Sequence, residues 1–234
     1  MGARIAHHRE VLREVDDLPA YLAAHSGLPG PRGNLELAQA VAEEADPATL
    51  LDLAGSGDEY EAFCGVVGLG RAIADGRRDL VGDLRRHAND PRWRVREAVA
   101  MALQRWGDAD LAGMLDEAAT WSAGSRLEQR AAAAGACEPR LLRDPAVARR
   151  VLGILDVTTA TLPGAPDRRT DAFRTLRQAL GYCWSVAIAA DVVDGLAAFD
   201  RWRRSPDPDV GWVVRENLRK NRLRRLLPDG APPG

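Results

Sequence analysis

A helix entrance followed by a short signature occurs twice in this chain, and it is the feature that most constrains the fold. The first copy, residues 90–103, begins with Asp-Pro-Arg and continues as Trp-Arg-Val-Arg-Glu-Ala-Val. The second copy begins with Asp-Pro at residues 207–208 and reads Trp-Val-Val-Arg-Glu-Asn-Leu at residues 212–218. An Asp accepts hydrogen bonds from the free amides of a first helical turn, and Pro sacrifices no hydrogen bond at the first helical position. The recurrence therefore predicts one helical unit that is used more than once.

Apolar residues follow the first entrance at spacings of three and four, which predicts an amphipathic helix that begins at Pro91 and ends at Gly107. Further Asp-Pro pairs begin at Asp46 and Asp144, and their uneven spacing predicts irregular repeats. Alternation of period two is almost absent, so the sequence predicts an all-α fold. The buried face of the first signature helix is predicted to consist of Val95, Val99, Ala102, Leu103 and Trp106.

The first copy resembles the second helix of a HEAT repeat, which typically begins with Asp and carries a Val-Arg pair, spaced alanines and a leucine. Here Val95-Arg96, the alanines at 98, 100 and 102, and Leu103 carry the resemblance. It implies a right-handed α-solenoid of irregular HEAT-like helical hairpins, with roughly ten to twelve helices and a surface available to a partner. The second copy departs from the pattern, because two residues precede its Trp and Asn217, Lys220 and Asn221 replace small residues. The last repeat is therefore either a cap of the stack or a binding surface.

Length and composition favour one soluble domain. With 46% hydrophobic and 28% charged residues, the sequence predicts a single domain over residues 1–227, followed by a disordered Pro/Gly tail at 228–234. No apolar run approaches the roughly 20 residues that span a bilayer, so we expect no membrane partner. Cys64, Cys137 and Cys183 are dispersed, which favours reduced core thiols and a cytoplasmic location.

Charge is uneven along the chain although the net charge is only −2. Residues 1–75 hold five basic and thirteen acidic residues, a formal charge of −8, whereas residues 201–226 hold nine basic and three acidic residues, a formal charge of +6. The near-neutral total gives no bulk attraction to nucleic acid, so any anion-binding surface has to be local.

The basic residues near the C-terminus are the clearest candidate binding site. On one continuous helix, Arg215, Arg219 and Arg222 share a face, with Lys220, Arg224 and Arg225 close by. Guanidinium groups bind phosphates or carboxylates through paired hydrogen bonds, so this row is a candidate site for a partner or a phosphate. The alternative is a solvated face, or a face paired with the acidic half of another molecule.

Trp93 and Trp212 occupy the same place in the two signature copies. Each is a candidate platform for a base or a partner side chain. The alternative, which the size of tryptophan favours, is packing between helices.

No catalytic, metal or cofactor set is predicted. Only one of His7 and His8 can share a helical face with Glu10 or Glu14, so a metal site is not expected there. The glycines of residues 65–70 are in the wrong order for a dinucleotide fingerprint and favour close helix packing. The leading hypothesis is therefore a non-catalytic HEAT-like scaffold or binding module without a cofactor, whose partner is a protein or another macromolecule.

An alternative reading involves DNA. The chain is similar in length and helical content to the alkylpurine DNA glycosylases built from HEAT-like repeats. That resemblance implies a DNA-binding protein or repair enzyme with a basic DNA-binding surface and with tryptophans and an aspartate beside the damaged base. Trp212, Asp209 and the arginine row are the positions that could serve in those roles, although the chain carries no residue-by-residue match to the family's active-site segment.

Overall fold

The computed structural model describes residues 2–226 of the chain. All regular structure in that range is helical, without a strand, so the all-α prediction is confirmed. The described range contains fourteen α-helices rather than the roughly ten to twelve predicted, because the N-terminal stretch forms two helices and the last predicted helix is divided at residues 219–220. The predicted disordered tail, residues 228–234, lies outside the described range.

The chain contacts group into two compact units, Met1–Ala109 and Asp110–Gly234, and each is described by itself. A single domain over residues 1–227 stays a prediction. In the first unit, α5 packs against α3, α4 and α7, and α1 packs against α3. A single 3-10 turn, Arg78–Leu80, precedes α6. The helices of this unit are α1 (Gly2–Leu12), α2 (Leu18–His25), α3 (Leu35–Glu44), α4 (Pro47–Ala54), α5 (Glu59–Ala74), α6 (Val81–His87) and α7 (Trp93–Ala109).

The second unit is built around the long helix α11, which packs against α9 and α13 on either side and against α10 and α12. Its largest fully buried side chains are Trp121, Trp184, Phe173 and Phe199. The helices of this unit are α8 (Leu111–Trp121), α9 (Arg126–Ala136), α10 (Pro145–Ala160), α11 (Asp171–Ala190), α12 (Val192–Arg203), α13 (Pro208–Leu218) and α14 (Asn221–Arg224).

Most predicted helix entrances are confirmed. Asp46, Asp144 and Asp207 each accept a hydrogen bond from a first-turn amide, and each is followed by Pro at the first helical position. Ser125 and Glu128 form a reciprocal capping box at the start of α9. Local sequence therefore sets where these helices begin.

The first signature helix differs from its prediction at both ends. It begins at Trp93 rather than at Pro91, and the Asp90 carboxylate accepts from both the backbone amide and the guanidinium of Arg92. Arg92 also donates to the carbonyl of Ser56 at 2.8 Å. At the other end the helix continues past Gly107, which is buried within it, to Ala109.

The glycines of α5 are contact points between helices, as predicted. A Cβ atom at Gly65 would clash with the backbone of Ala54, and one at Gly70 would clash with the backbone of Ala102. Glycine therefore allows α4 and α7 to approach α5 at backbone distance.

The cysteines Cys64, Cys137 and Cys183 are buried and free, as predicted. Burial raises the pKa of Cys64, and burial together with the neighbouring Cys183 thiol raises the pKa of Cys137. Both thiols are therefore protonated in the native protein and pack as small apolar groups.

Candidate functional site

The candidate site lies where α13 meets α14. Helix α13 ends at Leu218, and Lys220 adopts extended backbone angles before α14 begins at Asn221. The prediction that Arg215, Arg219 and Arg222 share one helix is therefore wrong. We call residues 215–225 the basic corner, because this short bend carries six of the chain's cationic side chains.

Two buried side chains hold the basic corner on α11. Leu223 is fully buried and anchors α14, which packs against α11. Asn217 is also fully buried, and its amide nitrogen donates to the carbonyls of Leu180 and Val213 at 2.8 Å each. The Asn217 oxygen accepts from the backbone amide of Ser185 at 2.8 Å. These bonds satisfy the buried amide and fix the end of α13 on α11.

Tyr182 stands on the exposed side of α11 between two cations of the basic corner. Its side chain is 44% exposed. Arg222 donates to the Tyr182 hydroxyl at 2.7 Å, and the Arg222 guanidinium carbon lies 4.8 Å from the ring centroid. The Lys220 ammonium lies 5.9 Å from the same centroid. Both distances are within the range of cation–π attraction, so the ring positions two charges beside it.

The other cations of the basic corner are exposed. Arg219 forms an ion pair with Glu216 at 2.7 Å. Arg215, Arg224 and Arg225 form no ion pair with another residue in the range 2–226. Positive charge therefore accumulates here with one acidic side chain to offset it.

Trp212 belongs to a closed network beside the basic corner rather than to an open platform. Its ring is half-buried, and a Cβ atom at Gly181 would lie 2.9 Å from it. Arg177 is on α11, and its guanidinium carbon lies 4.6 Å from the centroid of the Trp212 ring. Arg177 in turn forms an ion pair with Asp209 on α13. Trp212 therefore packs between α11 and α13, as the alternative reading of the sequence favoured.

Arg168 completes this network from the loop before α11. It forms ion pairs with Asp207 and, at 2.7 Å, with Asp209. Burial by itself raises the pKa of Asp207, but the Arg168 guanidinium and the amides of Val210 and Asp209 outweigh it and lower that pKa below its usual value. Both carboxylates are thus occupied by arginines, and neither is placed as a free acid or base.

Trp93 lies in the first unit and is 52% exposed, so for this residue packing between helices is the wrong reading. It is the first residue of α7, whereas Trp212 is inside α13, so the two signature copies place their tryptophans differently. The guanidinium carbon of Arg94 lies 4.5 Å from the Trp93 ring centroid. Arg94 also forms an ion pair with Glu59 at 2.8 Å, which leaves the ring as the exposed group.

His8 and His25 in the first unit both lie within hydrogen-bond distance of Tyr21. His8 Nδ1 lies 2.9 Å from the Tyr21 hydroxyl, and His25 Nδ1 lies 2.9 Å from the Tyr21 carbonyl. Burial lowers the pKa of His8, and the nearby His7 and His25 add to that effect. Within residues 2–226 no group of three or more His, Cys, Asp or Glu side chains is arranged to hold a metal ion.

A cavity of about 250 Å³ lies in the first unit between α3, α4 and α5. Most of its charged lining is already paired: Glu44 binds Arg9 and Arg13, Glu43 binds Arg105, Asp75 binds Arg71, and Arg77 binds Asp79. The Asp46 carboxylate accepts hydrogen bonds from the amides of Ala48 and Thr49, so it serves as the cap of α4.

Sequence reasoning missed Tyr182 and the two arginines, Arg168 and Arg177, that form ion pairs with Asp207 and Asp209. The apolar stripe of α11 runs through Phe173, Leu176, Leu180 and Trp184, and Tyr182 falls off that stripe, which was a readable signal of exposure. The ion pair between Arg168 and Asp207 spans 39 residues and had no local signal.

Comparisons with models of known protein families, with curated proteins and with solved structures find no match to this chain. No helix within residues 2–226 is both long enough and apolar enough to cross a bilayer.

Proposed function

We propose that the chain is a right-handed, HEAT-like α-solenoid that binds a protein partner without catalysis, in the cytoplasm. The order of helix contacts supports the solenoid. In the second unit, α9, α11 and α13 pack side by side, and α10 packs against both α8 and α12. In the first unit, α1, α3, α5 and α7 pack in succession. Consecutive antiparallel pairs that contact only their neighbours are the building principle of solenoids.

The observation that carries the binding function is the basic corner beside the exposed ring of Tyr182. An aromatic side chain that is 44% exposed between Lys220 and Arg222 has the composition of a binding hot spot. The surrounding guanidinium groups attract an anionic partner from a distance, although the chain as a whole is slightly acidic. We therefore assign partner binding to this surface.

DNA binding, as in the HEAT-like alkylpurine glycosylases, is the second candidate. The cations of the basic corner favour it, since arginines bind phosphates through paired hydrogen bonds. The geometry around Trp212 weighs against the glycosylase activity, because Asp209 is engaged by Arg168 and Arg177. A carboxylate that assists base removal has to face the substrate, so the protein-binding function is preferred.

The test of the proposed function is affinity capture on the immobilised full chain, followed by reconstitution of the complex from the purified partner. A stoichiometric complex observed by calorimetry is the expected result. In parallel, the chain is titrated with a short duplex, intact or carrying an abasic-site analogue, from about 50 to 200 mM salt. Preference for the abasic duplex with no reconstituted protein complex would overturn the proposal in favour of DNA repair.

A further inference from the structure

We propose, on the basis of the protein-binding function above, that the basic corner and Tyr182 together form a docking site for an acidic segment of the partner. Carboxylates of that segment would bind Lys220 and Arg222, and an adjacent apolar side chain would cover the ring of Tyr182.

Three arginines along α9 and α11 are already paired with carboxylates. Arg126 at the start of α9 binds Asp167 at 3.0 Å, and Arg174 on α11 binds Asp171 at 2.5 Å. Arg177, further along α11, is engaged by Asp209. A partner gains little from a guanidinium that already has a carboxylate at hydrogen-bond distance.

The basic corner differs from these helices, because most of its cations have no carboxylate partner in the described range. Within residues 2–226, Arg215, Arg224 and Arg225 have no acidic partner, and Lys220 and Arg222 contact the ring of Tyr182 instead of a carboxylate. Several cations without an acidic partner in that range are therefore clustered within residues 215–225. Lys220, Arg222, Arg224 and Arg225 all follow the end of α13 at Leu218, whereas Asp207 and Asp209 lie at its beginning.

The basic corner combines its charge with an exposed aromatic ring, that of Tyr182. Tyr182 is held in place by the hydrogen bond from Arg222, so its ring is a preorganised surface rather than a mobile side chain. Its exposed fraction gives a partner apolar area to bury at the centre of the charges. Interfaces of this composition, an aromatic with arginines around it, concentrate binding energy in few residues.

The patch is too short for a nucleic-acid track. A duplex carries its charges at regular intervals, and its binding energy grows with the number of phosphates that are neutralised. Here six cations lie within residues 215–225, whereas Arg126 on α9 and Arg174 and Arg177 on α11 are paired with aspartates. A short acidic protein segment with a few carboxylates matches this extent.

The experiment measures binding of a short labelled peptide, in which glutamates flank leucines, to the full chain by fluorescence anisotropy. The same peptide with glutamine in place of glutamate is the probe control, and a short DNA duplex is the competing class. We expect Arg222→Ala and Tyr182→Ala each to weaken peptide binding about tenfold, the loss of roughly one charge-assisted bond or one anchor. Tyr182→Phe, which keeps the ring, should weaken it by about threefold or less.

Arg169→Ala is the matched control, because it also removes one exposed guanidinium that has no ion pair in the described range. It should leave the affinity unchanged. The docking site would be overturned if Arg169→Ala and Arg222→Ala lowered the peptide affinity equally. It would also be overturned if the glutamine peptide bound as tightly as the glutamate peptide, or if the chain preferred the duplex to the peptide. Self-association of the wild type that disappears in Arg222→Ala would overturn it in favour of a second copy as occupant.

Failure of the docking site can be distinguished from failure of the proposed protein-binding function. Circular dichroism establishes that the variants are folded, and Tyr182→Phe gives a second reading if Tyr182→Ala does not fold. A reconstituted protein complex that survives Tyr182→Ala and Arg222→Ala would leave the protein-binding function standing and remove this docking site. Failure to reconstitute any complex would remove the function itself.

Discussion

At the scale of single residues, Asn217 departs from the repeat pattern and forms hydrogen bonds that a small residue could not. The first signature copy has Ala98 at the matching place, a small residue that allows close approach. Asn217 instead inserts its amide between α13 and α11, where it bonds Leu180, Val213 and Ser185. A buried amide with all of these partners specifies one relative placement of the two helices.

Replacing this amide should destabilise the second unit. We expect Asn217→Ala to lower the free energy of unfolding by about 2 kcal/mol, because the variant loses buried hydrogen bonds and leaves a small cavity. Asn221→Ala, at an exposed position in α14, should change it by less than about 0.5 kcal/mol. Urea denaturation of the two variants measures the difference, and equal stabilities would show that the amide bonds contribute nothing net.

Glu44 provides the clearest acid-sensitive contact. Hydrogen bonds from Arg13 and Arg9 lower the pKa of Glu44 to about 2. A carboxylate with a depressed folded-state pKa stabilises the native state fully above its unfolded value, about 4.3, and that stabilisation is lost as the pH falls toward 2. The link between α1 and α3 should therefore weaken in this window.

The corresponding variant is Glu44→Gln. Its melting temperature should lie below that of the wild type at pH 7, and the gap should close as the pH falls from about 4.3 toward 2. Differential scanning calorimetry across this pH range measures the gap. A gap that stays constant with pH would mean that the arginine contacts do not depend on the carboxylate charge.

At the scale of helices, the sequence predicted entrances better than exits. Asp46, Asp144 and Asp207 cap their helices through bonds to amides only two or three residues away, so local sequence suffices. The break after Leu218 was missed because the Arg-Lys-Asn-Arg run has ordinary helix propensity. What bends the chain there is burial of Leu223, where α14 packs against α11, a long-range contact.

The candidate site was predictable only in part, for the same reason. The basic residues were evident from composition, and the exposure of Tyr182 could be read from its place off the apolar stripe. The contact that joins them, from Arg222 to Tyr182, spans 40 residues and depends on the bend. The ion pairs that close off Asp209 likewise come from residues 32 and 41 positions away.

Close approach of α5 and α7 through Gly70 gives a test at the scale of helices. A methyl group at Gly70 would clash with the backbone of Ala102, so Gly70→Ala should cost about 1–3 kcal/mol of unfolding free energy. Gly153→Ala is the matched control, since that glycine is exposed within α10 and an added Cβ would meet nothing within 4 Å. The control should gain up to about 1 kcal/mol from better helix propensity. Thermal and urea denaturation report both, and a stabilised Gly70→Ala would contradict the close approach.

At the scale of the whole molecule, the two compact units carry net charges of opposite sign. Residues 1–109 hold thirteen basic and eighteen acidic residues, a formal charge of −5, and residues 110–234 hold nineteen and sixteen, a formal charge of +3. Each unit also has its own buried aromatic or aliphatic core, with Leu37, Leu69 and Ile73 among the fully buried residues of the first. The proposed docking site draws all of its residues from the second unit.

The second unit should therefore fold and bind alone. A fragment of residues 110–234 keeps the Asp110 cap of α8, which accepts from the amide of Gly113 at 3.0 Å, and it keeps the buried aromatic side chains Trp121, Trp184 and Phe199. A unit with its own core and intact caps is expected to unfold in one cooperative transition. Far-UV circular dichroism during urea denaturation measures that transition, and anisotropy measures whether the fragment binds the acidic peptide as the full chain does. A gradual, non-cooperative loss of helix would show that this core is insufficient by itself, whereas a folded fragment that no longer binds would place part of the docking site in residues 1–109.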